Sequence, residues 1–189
     1  MKPKFSSSPF ITTPLAFSLL LLILLNTFEY TIVAADLVPK TCKRCENNDP
    51  NIDYNFCVSS FRADPDSDSA DVRKLGAISL SSIRDHVRNS VKHVEKLLKK
   101  EVDSYKRARL RDCLELYCDA IVTLEEGKKA YRAKHYEDAD IKVSSVMDAA
   151  RVCEDGFGEK EGISSPLTKR NKDTFQLTAI ALSIINMHP

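Results

Sequence analysis

The side chains whose type and spacing could do chemistry are cysteines 42, 45, 57, 113, 118 and 153 and histidines 86 and 93. Cys42-Lys43-Arg44-Cys45 has the Cys-x-x-Cys spacing of redox and zinc sites. A redox pair wants a strand–helix–strand setting, and zinc wants a second pair of ligands. Cys113 and Cys118 do not supply that pair, because five residues along a helix turn two side chains about 140° apart. His86 and His93 share a helix face, but seven residues separate them by about 10 Å, too far for one metal ion. Gly156-Phe157-Gly158 with Gly162 follows a helical pattern instead of a strand, so it does not read as a phosphate loop. Neither His-Glu-x-x-His nor Gly-x-Ser-x-Gly occurs. The expectation is a protein with no catalytic residue, no metal and no cofactor. The cysteines then take their meaning from the compartment.

That compartment is read at the N-terminus. Met1-Lys2-Pro3-Lys4 is a basic start, Leu15 to Leu25 is an apolar core, and Val33-Ala34-Ala35 is a small-residue exit. These are the three parts of a secretory signal over residues 1–35. The apolar run of about eleven residues is short of the roughly 20 that span a bilayer. Removing 35 of 189 residues leaves 154, and takes Lys2, Lys4 and Glu29 from totals of 28 basic and 27 acidic side chains. The mature chain is formally neutral, with 26 of each sign, which gives no argument for nucleic acid or for a membrane as general partner. It also lacks an Asn-x-Ser/Thr acceptor for N-glycosylation.

The elements that must position these residues read as helices. Five glycines in 189 residues is below the average of about 7%, which disfavours hairpin-rich folds. Residues 36–66 form a separate short unit, broken by Asn47-Asn48-Asp49-Pro50 and closed by Asp64-Pro65-Asp66-Ser67-Asp68-Ser69, with Ser69 or Asp68 as expected cap of the next helix. From about 70 to 102, Val72, Leu75, Ile78, Ile83, Val87, Val94, Leu97 and Leu98 keep mostly to one stripe. From about 105 to 132, Leu110, Cys113, Leu114, Tyr117, Ile121 and Leu124 recur at threes and fours. Between about 136 and 157, Tyr136, Ala139, Val143, Val146, Ala150, Cys153 and Phe157 step 3, 4, 3, 4, 3, 4. The last helix, about 168–187, is apolar nearly all round and should be central. The expected fold is all-α: an antiparallel four-helix bundle over 67–189 with an N-terminal helical hairpin over 36–66.

In a secreted chain cysteines are more often bridged than bound to metal, and six allow fifteen pairings. Cys113 and Cys153 lie on the apolar stripes of their own helices and can staple them across the core, for about 4 kcal/mol in the chain-entropy picture. A bridge from Cys42 to Cys57 would close the N-terminal hairpin, for about 3 kcal/mol. Position leaves Cys45 and Cys118 open between pairing with each other, pairing between chains and staying free.

Several stretches taken in order carry a likeness. These are Thr41-Cys42-Lys43, Asn55-Phe56-Cys57-Val58, Ala63-Asp64-Pro65, Ala70-Asp71, Leu75-Gly76, Asp112-Cys113 with Tyr117, Cys153-Glu154-Asp155-Gly156-Phe157, Ser165-Pro166 and Gln176 to Leu182. On these the chain resembles the plant invertase inhibitor and pectin methylesterase inhibitor family over essentially all of 36–189, with a particular likeness to invertase-inhibitor members found among pollen proteins. The resemblance implies a disulfide-stapled four-helix bundle with bridges Cys42–Cys57 and Cys113–Cys153. It leaves Cys45 and Cys118 without a family bridge position. It implies a secreted, non-catalytic, monomeric protein of the apoplast, cell wall or vacuole that blocks the cleft of an invertase or a pectin methylesterase one to one.

In such invertase inhibitors a Pro-Lys-Phe stretch between the second and third bundle helices enters the target's active site. The matching positions are Lys134, His135 and Tyr136, so the resemblance implies these three as target-binding residues. The proline is lost, histidine stands in the lysine's place and tyrosine in the phenylalanine's, while Lys134 adds a cation. A histidine loses its charge between acidic and neutral pH, so inhibition is expected to weaken as pH rises. The alternative of another class is a bundle that carries a small hydrophobic ligand, or acts as a receptor-binding signal.

Overall fold

The computed structural model describes residues 37–187; the expected signal peptide lies outside the described residues. Among the described residues six α-helices follow one another: α1 Leu37–Asn48, α2 Tyr54–Arg62, α3 Val72–Leu98, α4 Ser104–Arg132, α5 Tyr136–Gly158 and α6 Thr168–Ile185. No strand occurs among the described residues, so the all-α reading holds.

Three of the helices start in the same way. Asp53, Asp71 and Asp103 each accept a hydrogen bond from the backbone N–H three residues on, from Phe56, Lys74 and Lys106. A carboxylate there answers both an unpaired N–H and the positive end of the helix dipole. The cap of α3 lies two or three residues beyond the expected Asp68 or Ser69. Pro65–Ser69 forms a 3-10 turn of its own, capped by Asp64, and Asp71 starts α3. The other end comes earlier than expected, since α3 stops at Leu98, where the N–H groups of Lys100 and Glu101 both turn back to the Leu97 carbonyl.

In the bundle α3 packs on α4 and α6, and α5 packs on the same two, so α3 and α5 stand at diagonal corners. The stripe of α5 is buried as its spacing requires, from Ala139 through Val143, Val146 and Ala150 to Cys153 and Phe157. Opposite it α4 buries Leu110, Cys113, Tyr117, Ala120 and Leu124, and the Cys113–Cys153 disulfide joins the two stripes. Each of these large side chains, buried at about 25 cal/mol per Å² of apolar surface, stabilises the core by roughly 1.5–3 kcal/mol.

The central helix α6 buries polar groups as well as apolar ones. Thr174 and Thr178 satisfy their hydroxyls on the carbonyls of Arg170 and Thr174, one turn back. Asn171 accepts from the Tyr117 hydroxyl and donates to Glu154 at 2.5 Å. Burial pushes the Tyr117 phenol up to about 12, as removal of a charged form from water must.

The hairpin α1–α2 closes on Cys42–Cys57 and rests against α6. Gln176 locks it: its side-chain carbonyl accepts from Asp53 N–H at 2.9 Å and its amide donates to the Asn51 carbonyl. Cys45 is buried beneath this hairpin and Cys118 is exposed on α4, so the two do not pair with each other.

Candidate target-binding tip

The connection from α4 to α5 is closed by a pair of backbone bonds. His135 N–H reaches the Ala130 carbonyl at 2.9 Å, and Lys134 N–H reaches the Tyr131 carbonyl at 3.1 Å. This pair of bonds is the Schellman ending of a helix, which places its linking residue in the left-handed region. That residue is normally glycine, whereas here it is Lys134, at φ 64°. A side chain in this conformation costs roughly 1–2 kcal/mol, and such strain gathers where function fixes the backbone.

The three expected residues are brought together on one face of the tip. Lys134, His135 and Tyr136 line an open depression of about 930 Å³ that the end of α6 borders with Ile185 and Asn186. Lys134 is exposed and makes no ion pair among the described residues. His135 is also exposed, and its Nδ1 lies 3.9 Å from Asp138 one turn into α5. Tyr136 is half-buried as the first residue of α5. Its ring meets Tyr131 edge to face at 5.6 Å between centroids, a geometry aromatic pairs favour.

Tyr131 makes the floor. It is fully buried, its hydroxyl donates to the Arg73 carbonyl at 3.1 Å, and burial pushes its phenol far up. Room for that hydroxyl exists because residue 76 is glycine, where a Cβ would overlap it. Arg73 in turn donates to the Arg132 carbonyl at 3.0 Å, so α3 answers the exposed end of α4. The tip therefore stands on a packed seat shared by α3, α4 and α5.

Sequence reasoning missed the acidic side of the depression. Glu137, Asp138 and Asp140 line it beside the cations, and Asp140 accepts from Asn186 at 2.8 Å. Two of these carboxylates fall in the first turn of α5, where the helix dipole favours them. Their place at a helix start was legible in the sequence. Exposed Ile141 completes the rim. Among the described residues no group of three or more His, Cys, Asp or Glu side chains could hold a metal ion.

The profile of the family "Plant invertase/pectin methylesterase inhibitor" matches residues 36–184. This chain belongs to that family. It is 41% identical over 171 residues to the "Putative invertase inhibitor" of Platanus acerifolia, covering 90% of this chain and 92% of that one. It is 28% identical over 153 residues to the "Pectinesterase inhibitor" of Actinidia deliciosa, covering 81% of this chain and 80% of the relative. Among solved structures, a mutant form of a pectin methylesterase inhibitor from Arabidopsis superposes with a TM-score of 0.64 at 26% identity, over 72% of this chain and 90% of that one.

An inhibitor works by contact, so what counts is which side chains are presented and how firmly. The tip offers one unpaired ammonium, one imidazole shared with a carboxylate and one ring edge. It offers no nucleophile with a base in reach. No helix among the described residues is long and apolar enough to cross a membrane.

Proposed function

We propose that this protein is a secreted inhibitor of a plant carbohydrate-active enzyme, with an acid invertase as target, and that it acts by occluding the active-site cleft with the α4–α5 tip. One observation carries the mechanism: Lys134 is held in a left-handed conformation that glycine would adopt without strain, exposed and without an ion pair among the described residues. Glycosidases of the invertase type work with a pair of carboxylates. An ammonium entering such a cleft pairs with one of them in a site shielded from water, where the pairing is stronger than on an open surface. The Tyr136 ring edge then buries apolar area beside it. The carboxylates of Glu137, Asp138 and Asp140 would repel those of the enzyme at short range, so Lys134 must lead and these three carboxylates must stay outside the cleft.

The likeness to the Platanus protein supports invertase as target. A second reading, pectin methylesterase, is supported by the Actinidia relative and by the Arabidopsis structure. The carrier alternative wants an empty apolar interior, whereas the facing stripes fill this one with their own side chains. Secretion to the apoplast, cell wall or vacuole belongs to the same proposal, as does action as a monomer without a cofactor.

Occlusion makes a kinetic prediction. Inhibition of a purified acid invertase should be relieved by sucrose in a competitive manner, and the complex should run in gel filtration at one copy of each protein. Inhibition that sucrose leaves untouched would place the contact away from the cleft and sink the tip mechanism.

A further inference from the structure

The mature chain is formally neutral, yet its charge is sorted between corners of the bundle. Helix α3 carries six lysines and arginines against two acidic residues, and α5 at the diagonal corner carries six acidic residues against two basic ones. That excess continues past the end of α3, where Lys99 and Lys100 follow its last turn. From His86 to Lys100 there are five cations, Arg88, Lys92, Lys96, Lys99 and Lys100, and one anion, Glu95.

All five cations are exposed, and none makes an ion pair among the described residues. Arg88, Lys92 and Lys96 recur every fourth residue, which sets them about 6 Å apart along roughly 12 Å of one ridge, and Lys99 and Lys100 stand at its end. Two nearby acids are engaged elsewhere: Asp85 is paired with Arg84 at 2.9 Å, and Asp173 with Lys169 at 2.6 Å. Exposed Glu95 stands among the cations and leaves the stretch with a net excess of four positive charges. Arg170 of α6 extends the positive side next to His93 and Lys96.

We propose that this ridge is a docking surface for a linear polycarboxylate, the chemistry of a de-esterified polyuronate chain. Four features select that partner. The cations form a row on an exposed ridge, a shape that fits a linear polyanion. Four of the five are lysines, single point charges on flexible stems, where paired recognition of phosphate favours arginine forks. No aromatic side chain stands on the ridge, so the stacking platform that single-stranded nucleic acids use is missing. The apolar side of α3 is spent on the core, so the helix has no face left to insert into a lipid surface. The ridge lies apart from the tip, so polyuronate binding and enzyme inhibition can be lost separately.

The test uses the full oxidised protein and immobilised polygalacturonic acid, with fully methyl-esterified pectin as the neutral counterpart. The wild-type protein should be retained on the acid and released by a few hundred millimolar salt, as screening demands. It should pass through the ester. Combining Lys92→Gln, Lys96→Gln and Lys99→Gln should weaken binding by about tenfold. Combining Arg44→Gln, Arg111→Gln and Lys129→Gln, an equal loss of charge from other exposed positions, should change it little. Equal losses in the two triple variants, retention on the ester, or tighter binding to single-stranded DNA or to anionic vesicles would each overturn the proposal. Inhibition measured without polysaccharide should be the same in both triple variants and the wild type.

Discussion

The turn between α1 and α2 and the connection between α4 and α5 both reverse a helical chain in a few residues, and they are held by opposite means. The first is pinned from outside. Cys42–Cys57 crosses beneath it, and Gln176 reaches from α6 to satisfy the Asn51 carbonyl and the Asp53 N–H. The second is closed chiefly from within, by two backbone bonds in the last turn of α4 with one outside bond from Arg73 to the Arg132 carbonyl, and its side chains Lys134 and His135 are left to solvent. A turn pinned by other elements spends its polar groups on stability. A turn that closes itself keeps them for a partner, and here it accepts a strained lysine to do so.

Substitutions at either turn can test this contrast. The largest effect should come from the disulfides. Replacing Cys113 and Cys153 by serine should cost about 4 kcal/mol, and replacing Cys42 and Cys57 about 3 kcal/mol, in the chain-entropy picture. Denaturant unfolding would measure both. If the pinned turn is structural only, the Cys42–Cys57 variant should still inhibit whenever it is folded. Gln176→Ala comes next, at about 1–3 kcal/mol, because it removes two part-buried hydrogen bonds worth about 0.5–1.5 kcal/mol each. Hydrogen exchange should quicken at residues 49–56 and stay slow in α4 and α5.

Lys134→Gly separates the two roles in one variant. It should raise stability by about 1 kcal/mol by releasing the left-handed strain, and it should weaken inhibition by tenfold or more through loss of the ammonium. A variant that is more stable and inhibits as well as the parent would show that the strain serves nothing at the interface.

Acid should act on neither turn first but on the α3–α6 contact. Burial holds His86 below the ordinary histidine range, with its Nε2 3.1 Å from the Arg170 carbonyl. A base depressed in the folded state contributes stability above its unfolded pKa, about 6.5, that is lost as pH falls through the folded value. Melting temperature should therefore decline on acidification below about pH 6.5, and less so in His86→Gln.

Much of the fold is legible in the sequence because its signals are local and repeated. The 3, 4, 3, 4 stepping from Tyr136 to Phe157 leaves little choice of face, and spacing alone puts Cys153 on the buried side. The start of α3 is harder to place because the run Asp64 to Asp71 offers several good caps, and Pro65 lets a 3-10 turn use the earlier ones. The buried threonines of α6 escape a sequence reading since their burial depends on bonds to carbonyls one turn back, which composition does not reveal. At the tip the three residues follow from family likeness. The left-handed Lys134 is invisible in the sequence, because lysine is not what that conformation selects, and so is the seat that Gly76 makes for Tyr131.

Whether the self-closed tip is the inhibitory surface can be decided by a paired titration. Purified acid invertase and purified pectin methylesterase are each titrated at acidic pH with the oxidised protein and with its Lys134→Gln variant. Invertase activity should fall to its floor at one inhibitor per enzyme, and the variant, equally stable, should need at least about tenfold more protein. Full activity of both enzymes at excess inhibitor would contradict the function, and an undiminished variant would contradict the tip.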